Sequence, residues 1–158
     1  MRRISKLIFL LLVAPVLMSA QTSPPSDPQV DLEKLATLLK QGAVGKIRVL
    51  HAHDSMLTRV AVSKDALRSI ATSSQDFSDQ IAEKFGSLLS SISVKTETHT
   101  PNLRWVVFFY DPQGHEIGSL FVDQFGQHGY LNNQTVLFQT STGSNLAKRL
   151  HKITAVRD

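Results

Sequence analysis

Leu103-Arg104-Trp105-Val106-Val107-Phe108-Phe109-Tyr110 decides how this chain folds. Read with a period of two, Trp105, Val107 and Phe109 point to one side while Val106, Phe108 and Tyr110 point to the other. A half-solvated strand alternates apolar with polar residues, whereas one that is apolar on both sides belongs inside a sheet covered above and below. The stretch therefore predicts a central strand, with helices over one face and a second layer over the other. Three coverings suit that second face: N-terminal segments of the same chain, a second copy in a homodimer, or a protein or small apolar ligand.

Moving outward toward the C-terminus, Asp111-Pro112-Gln113-Gly114 places Pro and Gly where a type I turn wants them. A tight turn there pairs Phe108 with Ile117 and Val106 with Ser119. Ile117 and Phe121 then join the Phe108 face, and Leu120 and Val122 join the Trp105 face. Pro101-Asn102, Gly126 to Gly129 and Asn132-Asn133 supply further turn signals. Residues 93–140 are thus expected to form an antiparallel meander of about four strands. Ser144 is expected to cap a closing helix over 144–153, with Leu146, Leu150 and Ile153 inward and Lys148, Arg149 and Lys152 outward.

Toward the N-terminus the period changes to that of a helix. Phe77, Ile81, Phe85, Leu88, Leu89 and Ile92 recur at helical spacing and predict a helix over 76–91. Ser63 caps a shorter one over 64–72, broken by Ser73-Ser74-Gln75. Leu32, Leu35, Leu38 and Leu39 mark another over 30–42, capped by Asp27 or Asp31 and closed by Gly42. Lys46 to His51 reads as a partly buried strand and Met56 to Val62 as a second extended piece. The fold class expected is α+β, a meander packed with amphipathic helices.

The first residues carry a different signal. Met1-Arg2-Arg3 and Lys6 precede the apolar run Leu7 to Val13, then Pro15 and the small pair Ser19-Ala20, in the order of a cleavable secretory signal over residues 1–20. Met18 departs from the small residue usual at that place. The run is shorter than the roughly 20 apolar residues that span a bilayer, so no permanent membrane span is expected. Residues 21–29, QTSPPSDPQ, hold three prolines and read as a disordered arm. Residues 30–158 are expected to be one domain in the periplasm or outside the cell. Cleavage removes three of the 17 basic residues and leaves 14 against 13 acidic ones, which argues against nucleic acid as a partner. With no Cys in the chain, disulfides, thiol catalysis and zinc-thiolate sites are excluded.

His51-Ala52-His53-Asp54 is the sharpest local feature. Two His two apart on a strand share a face and can chelate a divalent metal such as Zn, with Asp54 as an oxygen ligand. His99, His115 with Glu116, and His128 are the other candidates for a third ligand. There is no Gly-x-Ser-x-Gly elbow, no phosphate-binding Gly-rich loop and no nucleotide fingerprint, so no catalytic residue and no cofactor is assigned. Asn133-Gln134-Thr135 matches the N-glycosylation acceptor at a turn.

These features lead to an exported, non-enzymatic binding module, its binding face made by Val106, Phe108, Tyr110, Ile117 and Phe121 and its partner a protein or small apolar molecule. A metal-binding protein or metal-assisted hydrolase centred on His51, His53 and Asp54 is the alternative, and an envelope assembly accessory a third.

Overall fold

A computed structural model describes residues 26–53, 61–77, 79–140 and 145–155. The expected secretory signal over 1–20, most of the Pro-rich arm, Asp54, residues 56–60 and Ser144 lie outside the described residues.

The described residues build one antiparallel sheet of seven strands with four helices, in the order α1 (Pro28–Lys40), β1 (Lys46–His51), α2 (Lys64–Ile70), β2 (Ser73–Phe77), α3 (Asp79–Ser90), β3 (Ile92–Thr96), β4 (Leu103–Tyr110), β5 (Glu116–Asp123), β6 (His128–Leu131), β7 (Gln134–Thr140) and α4 (Leu146–Thr154). The strands lie side by side as β2-β1-β4-β5-β6-β7-β3. The α+β class and the meander β4 to β7 match expectation; the strand number does not. β1, β2 and β3 account for the difference: β1 and β2 extend the sheet beyond β4, and β3, within the stretch expected to be the meander, docks at the far edge. β2 is Ser-Ser-Gln-Asp-Phe, polar up to its last residue, and Ser73 to Asp76 are recruited by backbone pairing with β1. The helix expected from residue 76 consequently starts at Asp79, and Phe77 enters the core from a strand. β3 leaves α3 and pairs with β7 at the far edge, not with the next strand in sequence. The seven peptide steps from Thr96 to Leu103 reach about 23 Å when extended. That is enough to pass the four strand spacings, each about 4.8 Å, that separate β3 from β4.

Helix ends follow their capping residues. Asp27 accepts from the Gln29 amide at 2.9 Å with Pro28 in the first turn, so α1 begins inside the stretch expected to be a disordered arm. At its other end Gly42, at φ 69°, donates to Leu39 while Ala43 donates to Leu38, the paired bonds of a Schellman turn. Asn145 caps α4 through the Ala147 amide at 2.8 Å.

The sheet faces part as the alternation in β4 demands. Trp105, Val107 and Phe109 belong to the larger core with Leu32, Leu35, Leu39, Phe85, Leu88 and Leu150 under α1, α3 and α4. Val106 and Phe108 belong to a second cluster with Val62, Leu67 and Phe121 under α2, so the same chain covers both faces.

The expected hairpin register is wrong by two residues: Phe108 lies opposite Ser119 and Val106 opposite Phe121. Asp111 does accept from the Gly114 amide at 3.0 Å, but a type I turn splays antiparallel strands. Gly114 corrects this by adopting φ 90°, which lengthens the loop by one residue. A bulge between Tyr110–Glu116 and Phe109–Gly118 adds a second. Two single shifts restore the facing of Leu120, Phe121 and Val122. Ile117, the residue at the bulge, is turned to the other side and packs on the Trp105 core, contrary to expectation. Among the described residues no helix is long and apolar enough to cross a membrane.

Candidate functional site

The β2–β1–β4 corner of the sheet carries the most unusual set of side chains. His51 lies opposite Ser73 on one side and Trp105 on the other, while Val49 lies opposite Gln75 and Val107. Directly opposed residues share a face, so Ser73, His51 and Trp105 make one row and Gln75, Val49 and Val107 the next. The last turn of α4 sits over these rows. His51 stacks on Trp105 with ring centroids 3.8 Å apart and planes 19° from parallel. His151 of α4 meets Trp105 edge-on at 4.4 Å and His51 at 5.0 Å. Between the rows and Thr154 lies a cavity of about 220 Å³.

Two contacts far from the cavity place its roof. Gly126, at φ 68°, runs so close to the start of α4 that a Cβ there would collide with Asn145 and the Leu146 and Ala147 amides. At the other flank Arg149 donates to Ser91 Oγ at 2.5 Å, tying α4 to the end of α3. With Leu146 and Leu150 buried beneath it, α4 has one way to lie, and that way brings His151 to Trp105.

Beside this cavity two buried side-chain atoms have no hydrogen-bond partner: the Trp105 indole Nε1 and the Gln75 Oε1. Trp105 is only 2% exposed. An unpaired buried donor or acceptor costs about 1–3 kcal/mol, so an unsatisfied pair at one cavity asks for an occupant that supplies both complements. Gln75 is held in place from the opposite face of its strand. Its neighbour Asp76 receives Arg48 at 2.7 and 3.1 Å and Lys46 at 3.0 Å, which pins edge strand β2 to β1. The Arg48 hydrogen bond, joined by that from Lys46 and partly opposed by desolvation, holds the Asp76 carboxyl well below the usual carboxylate range.

The residues singled out in sequence are placed as follows. His51 enters the corner. His53 is exposed beyond the end of β1, after buried Ala52, and Asp54 lies outside the described residues. Among the described residues no group of three or more His, Cys, Asp or Glu is placed to hold a metal ion. His128 pairs with Glu97 at 2.7 Å, its ring 4.9 Å from that of His99, and His115 closes the β4–β5 turn on Asp111 at 3.0 Å. Of the expected binding face, Val106, Phe108 and Phe121 are buried under α2, Tyr110 is half-buried at its margin, and Ile117 is on the opposite side. Lys64 lies 4.2 Å from the Tyr130 ring centroid and donates to the Asn132 carbonyl at 2.8 Å, and Arg68 lies 4.8 Å from that of Phe108. Burial, with Arg68 nearby, pushes the Lys64 amine down. This face is sealed by cations over rings. Asn133 stands exposed at the β6–β7 turn.

A larger groove of about 560 Å³ runs between α3 and α4, lined by Glu83, Lys84, Arg149 and Lys152 over Leu88. Its charged side chains face solvent and Arg149 is engaged with Ser91. The smaller cavity is the better candidate, because two of the residues lining it, Trp105 and Gln75, carry buried polar atoms without hydrogen-bond partners.

Gln75, Ser73 and His151 carry no signal in the sequence. The first two lie in a polar segment that resembles a helix break, and His151 lies on the polar side of a helix whose apolar stripe is Leu146, Leu150 and Ile153.

No protein-family model, no curated protein and no solved structure matches the chain.

Proposed function

We propose that this chain is an exported, non-enzymatic binding module, working in the periplasm or outside the cell, that holds a small molecule in the cavity between the β2–β1–β4 corner and the end of α4. One observation carries the proposal: two residues lining the same cavity, Trp105 and Gln75, each bury a polar atom without a hydrogen-bond partner. Export is supported by the charged, apolar, small-residue order of residues 1–20. A binding rather than catalytic role follows from the site's composition. Among the described residues it offers hydroxyls, an amide, an indole and two imidazoles, and no carboxylate lines it. The apolar face of β4 is not the binding surface in this proposal, since α2 occupies it.

Two measurements test it. Expression of the full chain followed by fractionation and intact mass should yield, outside the cytoplasm, a polypeptide starting near Gln21; full-length chain in the cytosol would refute export. A thermal-shift screen of compounds of about 4–12 non-hydrogen atoms on residues 21–158 should return compounds that raise the melting temperature and shift Trp105 emission together. Stabilising compounds that leave Trp105 emission unchanged, or none at all, would refute the cavity as the binding site.

A further inference from the structure

We infer that the cavity at the β2–β1–β4 corner is built for an uncharged carboxamide or urea-type group, which accepts from Trp105 Nε1 and donates to Gln75 Oε1; this rests on the cavity being the binding site proposed above.

Charge is the first constraint. Among the described residues neither Asp, Glu, Lys nor Arg lines the cavity. The nearest ionic cluster, Lys46, Arg48 and Asp76, alternates with Val49 and Gln75 along β1 and β2 and so projects from the other face of the sheet. An ammonium drawn into this site would lose its hydration without gaining a carboxylate among the described lining residues, and a carboxylate would meet only the two imidazoles while facing the Gln75 oxygen.

Polar complement is the second. The indole N–H can only donate and the Gln75 Oε1 can only accept, so the occupant presents at least one acceptor and one donor. The N–C=O unit carries both on adjacent atoms within one rigid plane. The Ser73 hydroxyl, which also lines the cavity, can serve as either partner for what remains, while the Thr154 hydroxyl, already donating to the Leu150 and His151 carbonyls, can accept.

Size and ring geometry give the third. At about 220 Å³ the cavity falls below the roughly 300–1,000 Å³ of sites for drug-sized ligands. One Trp105 face is covered by His51 and its margin by His151, so the indole is not an open platform for a sugar or base. What it contributes is its N–H. Gln75 is half-buried on an edge strand, and because its Oε1 and the Trp105 Nε1 each expose less than 1 Å², binding requires the Gln75 side chain to turn.

Trp105 is the one tryptophan of the chain, so its emission reads the site directly. Residues 21–158 are titrated with three molecules of matched shape: neutral acetamide, anionic acetate and cationic acetamidinium. Acetamide should give a saturable emission change at millimolar concentration, with acetate and acetamidinium at least about tenfold weaker. Gln75→Leu should weaken acetamide at least about tenfold with an unchanged circular dichroism spectrum. Gln75→Glu, which keeps the shape but adds a negative charge, should reverse the preference toward acetamidinium. Preferential binding of acetate or acetamidinium by the unaltered protein, or an unmoved preference in Gln75→Glu, would overturn the carboxamide assignment and leave the cavity as a binding site. No saturable response from any of the three or from a wider fragment set, with a fixed water bridging Trp105 and Gln75, would overturn both.

Discussion

The two faces of β4 are made of equally apolar residues and are closed in different ways. On one, α1, α3 and α4 lay Leu32, Leu35, Phe85, Leu88 and Leu150 against Trp105, Val107 and Phe109. On the other, the seven-residue α2 contributes Leu67, and the rest is finished by Lys64 and Arg68 lying over Phe121, Tyr130 and Phe108. The first closure is made of interlocking carbon, the second of a short helix with cationic lids. A strand apolar on both sides thus fixes that two layers exist but leaves open how strongly each is held.

The largest expected effect falls on the three-helix face. Phe109 is fully buried and meets Phe85 edge-to-face at 6.0 Å. Phe109→Ala should cost about 3–5 kcal/mol, read as a drop in the urea midpoint at unchanged slope; a loss below about 1 kcal/mol would show that this face is not the principal core. Leu67→Ala should cost about 2 kcal/mol, chiefly by releasing α2, because a seven-residue helix has little stability apart from its packing. Hydrogen exchange should then quicken in residues 64–70 ahead of β4. If both regions quicken together, the two closures are one cooperative unit.

Smaller effects separate packing from polarity at the corner. Trp105→Phe removes volume but also deletes the unpartnered N–H, so its cost should stay under about 1.5 kcal/mol, while Trp105→Ala should cost about 3–5 kcal/mol. Equal costs would mean that the N–H is satisfied in solution.

The smallest effect is on edge strand β2. Because the folded-state Asp76 carboxyl is held below its ordinary value by Arg48 and Lys46, its contribution is fully present above the usual Asp range and fades as pH falls through the lower folded value. The carboxylate is 44% exposed, so screening limits this to about 1 kcal/mol or less. Asp76→Asn should flatten the fall in stability below about pH 4; an unchanged acid limb would place the titrating group elsewhere.

How much was legible in advance varied by element. The β1 strand, the meander and all four helices announce themselves by period, and α1 and α2 also by their caps Asp27 and Ser63; α4 is capped by Asn145 and not by the expected Ser144. β2 and β3 do not. An edge strand buries little of its own surface, so Ser73 to Gln75 carry no apolar pattern, and the pairing of β3 with β7 is a long-range choice. The hairpin register failed because Gly114 and the Ile117 bulge each inserted one residue, which composition leaves unmarked. At the candidate site only His51 was marked, and for a different reason. Its neighbour proved to be Trp105, which had been read as core alone.

Sequence alone determined that β4 would be buried on both sides, that helices with these stripes would pack on it, and that no thiol or phosphate-loop chemistry is available. Those properties follow from residue type and short-range period, which act within a few residues. Tertiary structure decided which chain segment covers each face, where the edge strands dock, and that Gln75, His51, Trp105 and His151 meet at one cavity. Their meeting depends on strand order and on the angle at which α4 lands. Both are set by the packing of residues far apart in the chain, and no local pattern records them.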